Sequence, residues 1–319
     1  MAQTSAETAT VVGRAAGEAA AARLARKSAR DLKERAIEFV LFLAALSAVA
    51  TTVAIVAILL YESWAFFQHV SIWTFLTDTE WTPLFENARY GVLPLLAGTL
   101  VTAGVGLLVA IPLGLVTAIY LSEFAPHRVR ETVKPFLELL EGVPTVVYGY
   151  FALLFVTPLL QKLYPDLPGF NMLSAGIVIG IMIIPYVSSV SEDAMRAVPM
   201  SLREGSYAMG ATRFQTAVNV VFPAAVSGVV AAFILGISRA VGETMVVAIA
   251  AGQQPNLTWN PTEAAATITA YIVQVALGDL PHDSIGYQSI FAVGLVLVLI
   301  TLVFNILGHM LRRRFREVY

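Results

Sequence analysis

Six uncharged apolar runs, each about as long as a bilayer is thick, constrain this chain more than any other feature. They are Phe39–Leu60, Gly91–Ser122, Gly142–Gln161, Leu167–Ser191, a run from Phe214 interrupted only by Arg239 and Glu243, and Ser284–Leu311. A helix needs about 20 apolar residues to cross hydrocarbon. In lipid every backbone N–H and C=O must find a partner inside the protein, so such runs become helices. Charged residues make up 13% of the 319 and apolar types 57%, against about 25% charged in a soluble domain. The expected fold class is therefore all-α integral membrane, with six transmembrane helices. Pro94 and Pro112 fall in the second run, which is tolerable where neighbouring helices re-satisfy freed backbone groups. Ala48-Val49-Ala50 looks like a signal-peptide cleavage site, but the apolar stretch runs on to Leu60, so a retained span is expected.

Lysine and arginine orient the spans. Residues 1–36 carry seven, from Arg14 to Arg35, whereas 61–90 carry only Arg89. Arg128, Arg130 and Lys134 follow the second run, and Lys162 alone follows the third. Residues 192–213 hold Arg196, Arg203 and Arg213, 251–283 hold none, and the end of the chain holds Arg312, Arg313, Arg314 and Arg316. The strict alternation predicts both termini in the cytoplasm. The expected division is an N-terminal extension (1–36), a six-helix membrane domain (37–315) and a short tail (316–319), with external loops at about 61–90 and 251–288. The extension is alanine-rich with mixed charges and reads as a surface helix or a disordered arm. Ala264–Gly278 is uncharged but short, and a seventh crossing would place the arginine-rich tail outside. It is expected to lie at, or dip into, the outer face, and Trp73, Trp81 and Trp259 are expected as interfacial anchors.

The chain has no cysteine, which removes disulfides, thiolate metal sites and cysteine nucleophiles. His69, His127, His282 and His309 have no metal-ligand spacing, so no metal site is expected. The spans show no Ser/His, paired-Asp or metal constellation, and no catalytic residue is assigned. Without a Gly-Lys dipeptide the chain cannot build a Gly-x-x-x-x-Gly-Lys phosphate loop. Any ATP hydrolysis belongs to another chain, and no cofactor is expected on this one.

The loop at about 192–216 is patterned rather than merely polar. Ser201-Leu-Arg-Glu204 after Pro199 fits a capping box, Gly210 fits a helix stop, and Thr212-Arg-Phe-Gln215 fits a second capping box. Glu204-Gly205-Ser206, three residues, Gly210, nine residues and Val220-Val-Phe-Pro223 together resemble the coupling-loop motif of ABC-importer permeases, Glu-Ala-Ala, three residues, Gly, nine residues, Ile-x-Leu-Pro. Gly-Ser replaces Ala-Ala, and Val and Phe replace Ile and Leu. The resemblance implies the type I ABC-importer fold and a short helix seated in a groove of a separate ATPase. Arg203, Glu204, Gly205, Ser206 and Gly210 would form that element.

The fifth run carries Ser238-Arg239-Ala-Val-Gly-Glu243-Thr244, placing Arg239 near mid-membrane if the span starts at Pro223. A charge there costs about 2.5–3.5 kcal/mol on insertion scales, so it should face protein or a water path. On a continuous helix Arg239 and Glu243 share a face. They either neutralise each other and hold the bundle together, or Arg239 attracts an anion that Glu243 keeps releasable. Glu243 is also suited to accept a hydrogen bond from a protonated oxyanion such as phosphate. Glu138 and Glu141 flank the third run, as boundary residues or as part of an exit path.

Gly236-x-x-Arg239-Ala-Val-Gly-Glu-Thr-Met245, Arg89-Tyr-Gly-Val-Leu-Pro94 with Gly98-Thr, Gly142-Val-Pro-Thr-Val-Val-Tyr-Gly149, Gly210-Ala-Thr-Arg and Gly286-Tyr resemble the phosphate-importer permease family, PstC type, over roughly 37–315. The resemblance implies inorganic phosphate as cargo and Arg239 with Glu243 in the translocation path. It also implies a sister permease (PstA type), a dimer of PstB-type ATPases using ATP and Mg, and an external PstS-type binding protein. Thr145 and Tyr148 offer hydroxyls either to the anion or to neighbouring helices. Sulfate, molybdate or phosphonate on the same architecture is the nearest alternative. An ATP-independent secondary transporter is disfavoured by the lack of an inverted repeat or proton relay.

Overall fold

A computed structural model describes residues 2–85, 87–281 and 284–314, with side chains from Lys33 onward apart from Asp279, Arg312 and Arg314. The expected tail at 316–319 and His282 lie outside them. Among the described residues the backbone is helical, with one isolated antiparallel bridge between Trp81 and Tyr90.

The chain divides into two compact units at Ile58/Leu59. The first consists of the N-terminal part of helix α1 (Ala2–His69), which runs unbroken through the described part of the alanine-rich extension into the first apolar run. Alanine is the strongest helix former, and no proline interrupts the segment. The compositional boundary at 36/37 is thus not a break in the backbone.

In the second unit α2 (Ile72–Thr77) precedes α3 (Leu93–Ile119), which continues through a π-turn at Tyr120–Phe124. Then come α4 (His127–Glu141), α5 (Thr145–Phe151), a π-turn (Ala152–Val156) and α6 (Thr157–Gln161). Helix α7 (Met172–Arg196) leads to α8 (Met200–Ala208), and α9 (Arg213–Thr216) passes through a π-turn (Ala217–Val221) into α10 (Phe222–Val241). Short α11 (Met245–Ala250) and α12 (Ile268–Gln274) follow, with a π-turn at Val275–Asp279, and α13 (Ile285–Arg314) closes the described chain.

Among the described residues, five helices are long and apolar enough to cross a membrane, Lys33–His69, Leu93–Phe124, Met172–Arg196, Arg213–Val241 and Ile285–Leu311. The expected third span is α5–α6, which meets α4 at a 90° bend, and the tally reaches six if this bent pair is one span. Gly142-Val143-Pro144 makes the corner, because Gly142 caps α4 and Pro144 drives Val143 out of helical conformation.

One expectation changes. The fifth run stops at Val241, and α11 is a separate helix beyond a break at 242–244. Helix α12 and the turn after it are embedded in the protein, with Ile268, Ala270, Tyr271 and Val275 buried. Its polar groups are met internally. Ile268 N donates to Thr99 Oγ1 at 3.0 Å, and the Tyr271 hydroxyl pairs with Ser289 Oγ at 2.8 Å.

The main apolar core joins α3, α5, α7, α10 and α11. Helices α3 and α7 approach so closely that a side chain at Gly180 would meet the Gly106 carbonyl and Val109, the small-residue packing that lipid-embedded helices favour. A second, aromatic cluster sets Phe66, Phe75, Trp81, Tyr90 and Tyr271 edge to face, with Trp81–Tyr271 centroids 5.0 Å apart. Trp81 is therefore a core residue and not an anchor, whereas Trp73 and Trp259 are exposed. A third cluster, of Ala118, Met195, Val198, Val221, Ala225 and Val229, underlies α8.

Candidate functional site

The break after α10 is built around a buried carboxylate. Gly242 caps α10, and Glu243 turns its side chain onto the next helix, where Oε1 accepts from Met245 N (3.1 Å) and Val246 N (3.3 Å). A carboxylate at a helix start satisfies orphan N–H groups and meets the positive end of the helix dipole. The Glu243 carbonyl accepts from Thr269 Oγ1 at 2.6 Å, fastening the break to α12.

Glu243 therefore does not pair with Arg239. The expectation of a shared face required a continuous helix, and the helix ends between them. Arg239 is exposed on α10, and no carboxylate among the described residues lies within ion-pair distance of it. Its neighbours Ala240 and Val241 belong to the same apolar cluster as Tyr148 and Val143. So the structure brings Arg239 to the bend between α4 and α5, where Glu138 and Glu141 occupy the last turn of α4 and Thr145 opens α5. The Tyr148 hydroxyl donates its one proton to the Leu140 carbonyl at 2.9 Å. That bond spans the bend and leaves the phenol oxygen only acceptor capacity. Helix α5 packs on α11, and a side chain at Gly149 would strike Ile249 and the Met245 carbonyl.

Helix α8 begins at Met200 with Pro199 as its cap residue, which puts Ser201 inside the first turn, and the first expected capping box does not form. The second does, with Gln215 N donating to Thr212 Oγ1 at 3.3 Å and Thr212 N to Gln215 Oε1 at 2.8 Å. Gly210 takes φ +85°, the left-handed turn that ends α8. Glu204, Gly205, Tyr207, Met209 and Gly210 are exposed, while Ser206 Oγ bonds Thr216 Oγ1 at 2.9 Å and ties α8 to α9.

Arg203, expected as part of this element, lies on the inner side of α8. It is buried, giving Nη1 to Val198 O (2.6 Å) and Nη2 to Met195 O (2.9 Å) and to Glu123 Oε1 (2.8 Å). One side chain thus pins α8 to the ends of α7 and α3. A groove lined by Glu123, Arg196, Met200, Arg203, Tyr207 and Arg213 opens beside it.

Sequence reasoning missed Glu192, counted there as a loop residue. It lies within α7, 1% exposed, and receives Arg130 Nε at 2.7 Å and Lys134 Nζ at 2.9 Å from α4. Lys134 also meets Asp193 at 2.7 Å, and Arg196 stands 3.8 Å from Glu192. The only available signal was the helical spacing of Arg130 and Lys134, which puts both on one face.

Residues 110–317 match the family of binding-protein-dependent transport system inner membrane components. The chain belongs to that family. This inner membrane component is 36% identical over 287 residues to the probable ABC transporter permease protein YqgH of Bacillus subtilis, covering 89% of this chain and 93% of that one. It is 32% identical over 308 residues to the phosphate transport system permease protein PstC of Xylella fastidiosa, with the same coverages of 89% and 93%. A PstC of Mesorhizobium japonicum is 33% identical over 75% of this chain and 78% of its own. Among solved structures, a bacterial alginate ABC transporter in complex with a periplasmic protein aligns with TM-score 0.56 at 19% identity, over 86% of this chain and 95% of that one. The inward-facing MetNI methionine ABC transporter aligns with TM-score 0.53 at 20% identity, over 71% and 95%. Both share the fold of this inner membrane component.

Proposed function

We propose that this inner membrane component is the permease subunit of an ATP-driven importer of inorganic phosphate in the bacterial cytoplasmic membrane. The observation that carries the reading is Arg239, a guanidinium without a carboxylate mate among the described residues, on a long apolar helix beside a break. An ionisable group in such a place marks a substrate path, and PstC-named relatives match over most of both chains. In this reading Arg239 attracts the anion. Glu243 spends Oε1 on capping α11 and offers its second oxygen to a proton on the anion, which phosphate carries near neutral pH and sulfate does not. Thr145 lines the same corner, and Tyr148 holds its shape.

The alternating Lys/Arg pattern supports six crossings with both termini cytoplasmic. Helices α8 and α9 then face the cytoplasm, and 61–90 and 251–288 face the binding protein. The exposed face of α8, with Glu204, Gly205 and Gly210, docks an ATPase dimer (PstB type) that binds ATP and Mg. A homologous sister permease (PstA type) completes the pathway, and a PstS-type protein delivers phosphate. This chain itself holds no cofactor and catalyses nothing. Closure of the ATPases on ATP pushes α8 and opens the path outward.

The test is anion uptake into proteoliposomes holding the assembled complex. Arg239→Ala is expected to abolish ATP- and binding-protein-dependent phosphate uptake without loss of assembly. Normal uptake by that variant refutes the site, and a wild-type complex carrying sulfate or molybdate but no phosphate refutes the cargo.

A further inference from the structure

No side chain of helix α4 is fully buried, and only Val133 and Leu137 among its apolar residues are half-buried. Its polar hold on α7 is made by charge. Arg130 and Lys134 stand one turn apart and each takes one oxygen of Glu192, at 2.7 and 2.9 Å. A clasp at two points fixes both the distance and the angle of a helix. Glu192 itself is 1% exposed, within α7, where a lone carboxylate is costly and a doubly bonded one is tolerated.

Two further sets of contacts extend the clasp in opposite directions. One turn beyond Glu192, the carbonyls of Met195 and Val198 receive Arg203, the anchor of α8. At the far end of α4, the Leu140 carbonyl receives the Tyr148 hydroxyl across the bend, and Tyr148 shares an apolar cluster with Ala240 and Val241, next to Arg239. From α8 to the bend the connection is therefore Arg203, the end of α7, Glu192, the cationic face of α4 and the Leu140–Tyr148 bond. Between clasp and bend α4 runs as one helix, with Pro135 inside it and only Val133 and Leu137 among its apolar side chains half-buried.

We infer that Glu192 is a positioning residue for transport, coupling displacement of α8 to the α4–α5 bend beside Arg239. The inference rests on the importer reading above and adds the element through which the ATPase stroke reaches the anion site. A carboxylate serving only stability would move assembly and hydrolysis together with transport. A coupling carboxylate separates them.

The experiment uses the whole complex in proteoliposomes, with phosphate uptake and ATP hydrolysis measured on the same vesicles. Glu192→Gln keeps the size of the side chain, and the freed Arg130 and Lys134, already about one-fifth exposed, reach water. The variant is expected to hydrolyse ATP within about twofold of wild type. Phosphate moved per ATP is expected to fall about tenfold or more, the size of an ordinary coupling free energy. Glu192→Asp, which keeps the charge, recovers part of the ratio. Spin labels on cysteines introduced at Phe136 and Leu154, both exposed, report α4 against α5–α6. Their ATP-dependent distance change is expected to vanish in Glu192→Gln.

An unchanged ratio overturns the inference, and so does a parallel loss of hydrolysis and uptake in an assembled complex. If Glu192→Gln fails to assemble, Lys134→Gln is read by the same ratio. A wild-type complex that carries a different anion corrects the cargo alone, because the ratio is then read on that anion. A wild-type complex that moves no anion with ATP overturns the importer reading and this inference with it.

Discussion

Replacing Arg203 by Met keeps a long side chain in place and removes the hydrogen bonds that hold α8 to the ends of α7 and α3, leaving the Ser206–Thr216 bond to α9. Two carbonyls, Val198 and Met195, lose donors, and the Glu123 carboxylate, 6% exposed, loses its cation. Breaking a buried pair by deleting one partner costs about 3–5 kcal/mol. The groove beside Glu123 admits water, so the low end, about 3 kcal/mol, applies, and that is about a hundredfold in an equilibrium constant. The cost falls on the docking of α8, which separates locally while the α3–α7 core stays closed. Hydrogen exchange of the complex in nanodiscs should therefore show α8 amides exchanging about a hundredfold faster, with central α3 and α7 amides unchanged. Arg203→Lys keeps the charge but not the fork, and about half of the protection should survive on a logarithmic scale. Adding Glu123→Gln to Arg203→Met removes the orphaned charge and should slow exchange again. A change below about threefold in Arg203→Met, or faster exchange in the double variant than in the single one, would refute the anchor.

Other outcomes follow from local geometry. A side chain at Gly98 meets the Ala266 backbone carbonyl, which cannot rotate aside, so Gly98→Ala should lower stability by about 1–3 kcal/mol, seen as an earlier thermal transition in intrinsic fluorescence. Gly210 has open space around it but φ +85°, so Gly210→Ala should cost only the left-handed backbone term, about 1–2 kcal/mol, confined to exchange at the end of α8. Hydrogen bonds from Thr258, Asn260 and Asn256 hold the Glu263 carboxyl below its ordinary value. A lowered folded pKa means that this loop's stabilisation is complete above the ordinary carboxylate range and is lost as pH falls through the lowered value. Trp259 fluorescence should report that loosening on acidification, and Glu263→Gln should abolish the response.

Hydropathy located the helices because a run of apolar residues in lipid has no other way to pair its backbone. It did not locate the breaks, since Gly142-Val143-Pro144 and Gly242-Glu243-Thr244 are too short to dent an average over a span. Pro144 and Gly242 were visible punctuation, and only the assumption of continuous helices hid their meaning. The same assumption made Arg239 and Glu243 a pair, when Glu243 in fact caps the next helix. Buried charges were the least legible part. Glu192 finds Arg130 at a separation of 62 residues, and Arg203 finds Glu123 at 80. A single sequence therefore presents them as solvated loop charges. The exposed face of α8 was legible through its spacing, whereas the embedding of α12 depended on acceptors supplied by Thr99 and Ser289.

The π-turns at 120–124, 152–156, 217–221 and 275–279 carry a consequence for how such a chain tolerates insertions and deletions. A π-turn accommodates one residue more than the α-helical ladder needs. Removing that residue returns the segment to α-helix and leaves both flanks facing their old neighbours. The same deletion in the middle of α7 would rotate everything beyond it by about 100°, turning Glu192 away from α4 and the last carbonyls away from Arg203. Length polymorphism among functional relatives should therefore gather at these wide turns and avoid the straight helices between the anchors.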